Sequence, residues 1–182
     1  MNHLRVPGVL VVLAASVAVI GCGKKEEPKA AAPAPAPAAA APAPAPKPEM
    51  VVKIGHVAPL TGTIAHLGKD NENGARLAVD DANAKKIEID GKVVKFELLG
   101  EDDQADPKTG TVVAQKIVDA KVAGVVGHLN SGTTIPASAI YSQAGLPQIS
   151  PSATNPKYTQ QGFKTTFRVM ANDIQQGSVV GT

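Results

Sequence analysis

The chain has 182 residues, one cysteine, 15 prolines and a formal net charge of +2. A single cysteine excludes a disulfide within the chain, and the balance of charge gives no sign of a nucleic-acid partner. The excess positive charge comes from the first fifty residues, because the remainder carries 13 basic and 13 acidic side chains.

The N-terminal segment has the pattern of an export signal. Arg5 precedes an almost unbroken apolar stretch over residues 9–20, which is too short to span a bilayer well. The stretch ends in Val-Ile-Gly directly before Cys22, a pattern typical of bacterial lipoproteins whose mature chain begins at a lipidated cysteine. We therefore expect residues 1–21 to be a lipoprotein signal peptide and Cys22 to carry the lipid. The alternative is a plain secretory signal that ends near a cysteine.

Alanine and proline dominate the next region, residues 22–50. Proline fixes φ and lacks a backbone donor, so this composition favours extended polyproline II over helix or sheet. We expect a disordered tether between the lipid and a folded domain over residues 51–182. The alternative is a proline-rich ligand for a peptide-binding partner.

The folded region is predicted to begin with a strand and a helix. Residues 51–58 (VVKIGHVA) are rich in β-forming side chains and stop at Pro59, which predicts a buried strand. Residues 60–68 predict a loop. Helix-forming residues from about 69 to 86 predict a helix whose small side chains let it lie close to a sheet.

A hairpin and a second helix are predicted next. Apolar residues alternate with polar ones over 87–98 and flank Asp90-Gly91, which predicts two strands joined by a tight turn. Asp106 followed by Pro107 is typical of a helix start, and helical spacing of apolar residues continues to residue 120.

Further strands and a third helix complete the pattern. The apolar run at 122–129 predicts a parallel strand covered on both faces. Residues 131–144 predict a helix with Ser131 as its N-cap and Gly145 after its end. Short strands are predicted at 146–150 and 165–170. Strands that alternate with helices predict an α/β fold with a doubly wound, mostly parallel sheet.

Sequence motifs of catalysis and of metal binding are absent. There is no glycine-rich nucleotide loop, zinc-protease histidine pair or nucleophile elbow. We interpret His56 as a core or strand-end histidine and His128 as a structural residue that holds the loop after its strand. The acidic run at 101–103 favours a solvated loop over paired carboxylates or a calcium site. We expect no metal, no cofactor and no enzymatic activity.

Two loops after successive predicted strands, at 127–134 (GHLNSGTT) and 149–156 (ISPSATNP), carry the groups of a binding site. Ser131 offers a hydroxyl beside the free amides of a helix start, which suits a carboxylate; a plain N-cap role is the alternative. Ser152 can present a backbone carbonyl to an ammonium group, and the Thr154 hydroxyl can donate to a carboxylate or accept from an ammonium. Ligands of open α/β sheets bind at the carboxyl ends of strands, where both loops lie. Because the loops offer donors for a carboxylate and acceptors for an ammonium, we expect an amino acid here.

Four segments resemble a known family in order and spacing: IGHVAPLTGTIAHLGKDNENGARLAVDDANA, EDDQADPKTG, GHLNSGTTIPAS and LPQISPSATNP. They are similar to the N-terminal lobe of the leucine/isoleucine/valine-binding proteins, the type I periplasmic receptors of bacterial ABC importers. The resemblance implies two α/β lobes that close on an amino acid and deliver it to a permease in the inner membrane. It also implies that Ser131, Ser152 and Thr154 hold the ligand's carboxylate and ammonium.

Three features depart from that family. Leu67 stands where some members place an aromatic side chain against the ligand, and Ala105 and Asn130 stand where some carry a cysteine pair. The resemblance places residues 173–177 at the crossover to a second lobe, so residues 51–182 are expected to be one lobe, without the acidic partner of the ammonium.

The resulting expectation is a binding protein of the periplasm or cell surface, anchored in the membrane through Cys22. It captures an amino acid, branched-chain first, for an ABC importer. The alternatives are a receptor for another small carboxylate or an amide, and a sensory ligand-binding ectodomain.

Overall fold

The computed structural model describes residues 45–181, so the expected signal peptide, Cys22 and most of the expected tether lie outside the described residues. No helix in the described part is both long and apolar enough to cross a membrane. The strands are β1 (Glu49–Ala58), β2 (Glu88–Ile89), β3 (Lys92–Asp102), β4 (Gly124–Gly127), β5 (Gln148–Ser150) and β6 (Thr166–Arg168). The helices are α1 (Ala65–Ala84), α2 (Pro107–Asp119), α3 (Ser131–Gln143), α4 (Lys157–Gln160) and α5 (Asp173–Val180).

One sheet contains all the strands of residues 45–181, in the order β2-β3-β1-β4-β5-β6. Every neighbouring pair is parallel except β2 with β3, which forms the predicted hairpin around Asp90-Gly91. The chain moves from β1 to one edge and then crosses to β4 on the other side, so α1 lies on one face and α2 and α3 on the other. The predicted doubly wound, mostly parallel sheet is confirmed.

The main apolar core lies between the sheet and the pair α2 and α3. Val57 and Val125 of the sheet pack there with Ile117, Ala137 and Tyr141 of the two helices. Burial of each large apolar side chain stabilises the fold by about 1.5–3 kcal/mol. This core fixes the position of α3, whose first turn belongs to the predicted binding region.

Helix α2 begins as the sequence predicts. The Asp106 carboxylate accepts a hydrogen bond from the Thr109 backbone N–H at 2.7 Å, and Pro107 occupies the first helical position. This bond and a second one, from the Thr109 hydroxyl, lower the pKa of the Asp106 carboxyl.

The opposite face of the sheet is covered only in part by α1. Ile54, Leu98 and Val126 line a groove of about 530 Å³ beneath this helix. Beyond the groove, Ile149 of β5 and Phe167 of β6 are 41% and 50% exposed on the same face. The small side chains predicted for α1 therefore line a groove rather than a closed contact.

Two boundaries differ from prediction because of glycines. Helix α1 begins at Ala65, within the predicted loop, and includes Gly68. A Cβ on Gly68 would lie 1.9 Å from the Pro59 carbonyl oxygen, so this close approach requires glycine. Strand β4 ends at Gly127 rather than 129. The φ of Gly127 is 137°, and a Cβ on this residue would lie 2.3 Å from the Val57 carbonyl oxygen.

The ends of the described region also differ from prediction. Strand β1 starts at Glu49, and the Val93 N–H donates to the Pro48 carbonyl at 2.9 Å, so the last residues of the expected tether belong to the fold. Helix α4 was not predicted, and α5 occupies the expected crossover segment. Asn172 and Gln175 form a capping box at the start of α5, a signal that the sequence carries as Asn-x-x-Gln.

Candidate functional site

The two predicted binding loops lie side by side at the carboxyl edge of the sheet. They follow β4 and β5, which pair in parallel and therefore end at the same edge. The Asn155 N–H donates to the Ser131 hydroxyl oxygen at 3.1 Å, and the Ser152 hydroxyl donates to the Leu129 carbonyl at 3.1 Å. The structure thus brings Ser131 and Ser152 into one contact region, with Thr154 between Ser152 and Asn155.

The first turn of α3 presents free backbone donors. The N–H groups of Thr133 and Thr134 donate to the Asn130 carbonyl at 3.1 and 2.9 Å. Within the described residues, the N–H groups of Ser131 and Gly132 have no hydrogen-bond partner, and Gly132 is exposed. Unpaired amides at the positive end of a helix dipole attract an anion.

Ser131 differs from its predicted local role. The N-cap of α3 is Asn130, and Ser131 is the first helical residue. Its hydroxyl oxygen is turned across to the second loop, where it accepts from Asn155. A hydroxyl that accepts one bond still has its own proton to donate, so Ser131 can serve a carboxylate.

Ser152 and Thr154 leave complementary groups available. Among residues 45–181, the Ser152 carbonyl and both the hydroxyl and the N–H of Thr154 make no hydrogen bond. The Thr154 carbonyl accepts from the Asp173 N–H at 2.9 Å, which ties the loop to α5. Both residues are half-buried. Donors for a carboxylate and an acceptor for an ammonium therefore stand in one short segment.

Two polar residues near this edge were missed by the sequence interpretation. Asn71 of α1 accepts a hydrogen bond from the Ser152 hydroxyl at 3.4 Å through its Oδ1. Asp102, at the end of β3, accepts from the Leu60 N–H at 2.8 Å and the Gln104 N–H at 2.9 Å, so it fixes the loop after β1. Both come from distant parts of the chain: no local pattern marks Asn71, and the acidic run that contains Asp102 was interpreted as a solvated loop.

A fully buried hydrogen-bonded network lies beneath the loops. His128 Nδ1 is 2.8 Å from Asp103 Oδ2, and His128 Nε2 is 3.1 Å from the Tyr141 hydroxyl. Burial by itself raises the pKa of the Asp103 carboxyl, but the hydrogen bonds from the His128 ring and the Ala105 N–H, with the other polar contacts around it, together lower that pKa. Because an ionised carboxylate only accepts, Nδ1 carries the proton.

The network changes one sequence interpretation and agrees with another. Asp103 is buried, so the expectation that residues 101–103 form a solvated loop is wrong: Glu101 and Asp102 end β3, and Asp103 turns inward to His128. His128 holds its loop from within, as expected. Burial and the nearby Asp103 charge also raise the pKa of the Tyr141 hydroxyl.

His56 is buried on the α1 face, which agrees with a core histidine. Neither of its ring nitrogens has a hydrogen-bond partner among the described residues. Burial lowers the pKa of the His56 ring, and Glu72 and the Val126 backbone oppose this only in part. The Glu72 carboxylate is already paired with Lys69 at 3.0 Å and Arg76 at 2.6 Å. Within residues 45–181, no three His, Cys, Asp or Glu side chains form a metal-binding group.

Fold and edge together define an α/β lobe with free hydrogen-bonding groups at the carboxyl ends of its strands. A family model described as periplasmic binding protein matches residues 51–182. The chain belongs to the periplasmic binding protein family. Membership assigns it to a class of extracytoplasmic solute-binding proteins and not to a class of enzymes.

Curated relatives and solved structures agree with this assignment. The chain is 44% identical over 130 residues to Leu/Ile/Val-binding protein homolog 1 of Brucella abortus (strain 2308), covering 71% of this chain and 34% of that protein. It resembles the branched-chain amino acid transporter substrate binding protein LivJ from Streptococcus pneumoniae in complex with isoleucine. That comparison has a TM-score of 0.62 and 36% identity, and covers 68% of this chain and 35% of that one.

A third similar structure has a different ligand. It is a solute binding protein of an ABC transporter from Rhodopseudomonas palustris BisB5 in complex with 3,4-dihydroxy benzoic acid, with a TM-score of 0.63 and 26% identity. The match covers 72% of this chain and 35% of that one. The chain spans about a third of the length of the curated relatives it matches.

Proposed function

We propose that this chain is the N-terminal lobe of an extracytoplasmic receptor that captures an amino acid, with branched-chain amino acids first, for an ABC importer. The observation that carries the proposal is the set of unpartnered groups around Ser131, Ser152 and Thr154. The names of the relatives support the ligand class, since they include Leu/Ile/Val-binding and leucine-specific-binding proteins.

In the proposed complex, the ligand's carboxylate lies against α3. The carboxylate accepts hydrogen bonds from the Ser131 hydroxyl, the free N–H groups of the first helical turn and the donors of Thr154. The ammonium donates hydrogen bonds to the Ser152 carbonyl and to the lone pairs of the Thr154 hydroxyl. The function is reversible binding, and closure of a second lobe over the ligand completes the site.

Calorimetric titration of the full-length protein with leucine, isoleucine and valine tests the site. Hydrogen bonds to charged groups contribute about 1.5–3 kcal/mol, so Ser131→Ala and Thr154→Ala should each weaken binding by about tenfold or more. Ser142→Ala, near the other end of α3, is the matched control and should bind like the unmodified protein. Unchanged affinity in both site variants would refute the assignment of these residues.

A receptor for another small carboxylate is the second candidate, favoured by the dihydroxybenzoate complex of a similar structure. The two candidates differ in whether the ligand needs an ammonium group. Titration with 4-methylpentanoate, which is leucine without its amino group, separates them. An amino-acid receptor should bind this compound far more weakly than leucine, whereas a carboxylate receptor should bind both equally or prefer it.

We further propose that the mature protein begins at a lipidated Cys22 and that the residues between Cys22 and β1 tether the lobe to the membrane, within reach of the permease. Labelling of the protein with radioactive palmitate in cells, followed by detergent partition, tests this. Cys22→Ala should abolish the label and release the protein into the aqueous phase. Label that persists in the variant would refute lipidation at this cysteine.

A further inference from the structure

We infer that Ser150 is a positioning residue that holds the two binding loops in register, an inference that rests on the proposed function. Ser150 is the last residue of β5 and its side chain is fully buried, so it lies beneath the site rather than in contact with the ligand. Its hydroxyl is bonded to both loops at once.

Three hydrogen bonds meet at the Ser150 hydroxyl. It donates to the His128 carbonyl in the first loop at 2.8 Å. It accepts from the Ala153 N–H in the second loop at 2.9 Å and, more weakly, from the Ser152 N–H at 3.4 Å. A hydroxyl can both donate and accept, which is what linking a carbonyl to an amide requires. Ala153 directly precedes Thr154, so the link ends one residue from a proposed ligand contact.

The first-loop side of this link is itself fixed. The Thr134 hydroxyl, from the first turn of α3, shares its proton between the Asn130 carbonyl at 2.8 Å and the same His128 carbonyl at 3.1 Å. The His128 ring is held from below by Asp103 and Tyr141. The carbonyl is therefore a fixed point shared by α3 and β5, and Ser150 transmits its position to the second loop.

Loss of this hydroxyl should weaken binding without removal of any ligand contact. In Ser150→Ala the buried Ala153 N–H has no partner, so the loop moves to find one or becomes mobile. Binding must then order the loop again, and that ordering lowers affinity.

Ser138 supplies a matched control. It is also a fully buried serine whose hydroxyl donates to a backbone carbonyl, that of Ile135, at 2.6 Å, and accepts from Gln161 at 2.9 Å. Its partners lie along α3 and after α4 and do not join the binding loops. Ser138→Ala should therefore lower thermal stability as Ser150→Ala does, but leave the binding loops in place.

The experiment compares both variants of the full-length protein by amide hydrogen exchange without ligand and by calorimetry with leucine. Ser150→Ala should accelerate exchange of the Ala153 amide by about tenfold or more and weaken leucine binding by about fivefold or more. Ser138→Ala should leave both within about twofold of the unmodified protein. Equal exchange at Ala153 and equal affinity in the two variants would overturn the inference.

Two further outcomes remain decisive. If Ser150→Ala does not fold, Ser150→Cys keeps the volume with a weak hydrogen-bonding group and should show the same differences in smaller degree. Wild-type exchange and affinity in that variant would overturn the inference. If the unmodified protein binds no amino acid, the proposed function fails, while exchange at Ala153 still decides whether Ser150 holds the loops.

Discussion

Buried polar side chains in this protein fall into two kinds. His128 and Asp103 satisfy each other and carry the loops above them, whereas His56 is equally buried but has no hydrogen-bond partner for either ring nitrogen among the described residues. A buried polar group stabilises a fold only when it is paired, so His128 contributes to stability whereas burial of His56 costs free energy.

The His56 ring should make stability depend on pH between about 7 and 5. Burial lowers its folded-state pKa, so below the unfolded pKa of about 6.5 the unfolded chain binds a proton that the folded chain does not. The free energy of unfolding therefore falls as pH falls through this window. In His56→Leu that slope should flatten, as measured by urea denaturation at several pH values. An unchanged slope would contradict this account.

Asp103 should act at lower pH. Its lowered folded-state pKa means that its stabilisation is fully present above the unfolded value of about 3.9 and is lost as pH falls through the folded value. Asp103→Asn should therefore destabilise the protein by about 1–3 kcal/mol near neutral pH. By chemical denaturation, the difference from the unmodified protein should shrink below about pH 4. A difference that is independent of pH would show that charge on Asp103 is not the cause.

Glycines in α1 show how one residue type can have opposite effects within one helix. Gly68→Ala should destabilise the protein by about 1–3 kcal/mol, because the new methyl group would overlap the Pro59 carbonyl oxygen. Gly74→Ala has open space within 4 Å and should stabilise the helix by about 0.5–1 kcal/mol. Thermal unfolding of the two variants measures both signs. Equal shifts would mean that helix propensity alone decides.

The features that the sequence could predict depend on local chemistry, and those that it could not depend on contacts between distant residues. The cap at Asp106, the turn at Asp90-Gly91 and the alternation of strands with helices follow from local chemistry and periodicity, and the structure has all three. The start of α1 could not be predicted, because Gly68 is set by a contact with Pro59 that local propensity does not contain.

That the two proposed binding loops lie side by side was predictable for a related reason. Their hydroxyls follow predicted strands directly, and parallel strands end at one edge. The contributions of Asn71 and Asp102 were not predictable, since each reaches its partner across a long separation in sequence.

The described lobe has one well-packed face and one open face. The α2 and α3 side forms the core, while the α1 side leaves Ile149 and Phe167 exposed next to the groove. Adjacent exposed apolar residues on one surface mark a region that binds other apolar material. We therefore expect residues 51–182 alone to have a lower free energy of unfolding than a lobe of the same size with both faces packed.

Expressed alone, residues 45–182 should bind the dye ANS through this open face. The double variant Ile149→Ser and Phe167→Ser should reduce the fluorescence of bound dye several-fold, since it makes the patch polar. Val112→Ser is the control, because Val112 is 65% exposed on α2, which packs on the other face, and should leave dye binding unchanged. A reduction in the control as large as in the double variant would place the dye elsewhere.

The contact between Ser131 and Asn155 also bears on the handedness of the ligand. Because Asn155 already donates to the Ser131 oxygen, the Ser131 proton points away from Asn155 and is available to a carboxylate, beside the free N–H groups of the first turn of α3. The Ser152 carbonyl, the proposed acceptor for the ammonium, lies in the other loop. In the proposed complex, this polarity fixes which end of a zwitterion faces α3. With both ends of the zwitterion fixed on one surface, mirror-image amino acids would send their side chains in different directions, so any third contact with the side chain would distinguish them.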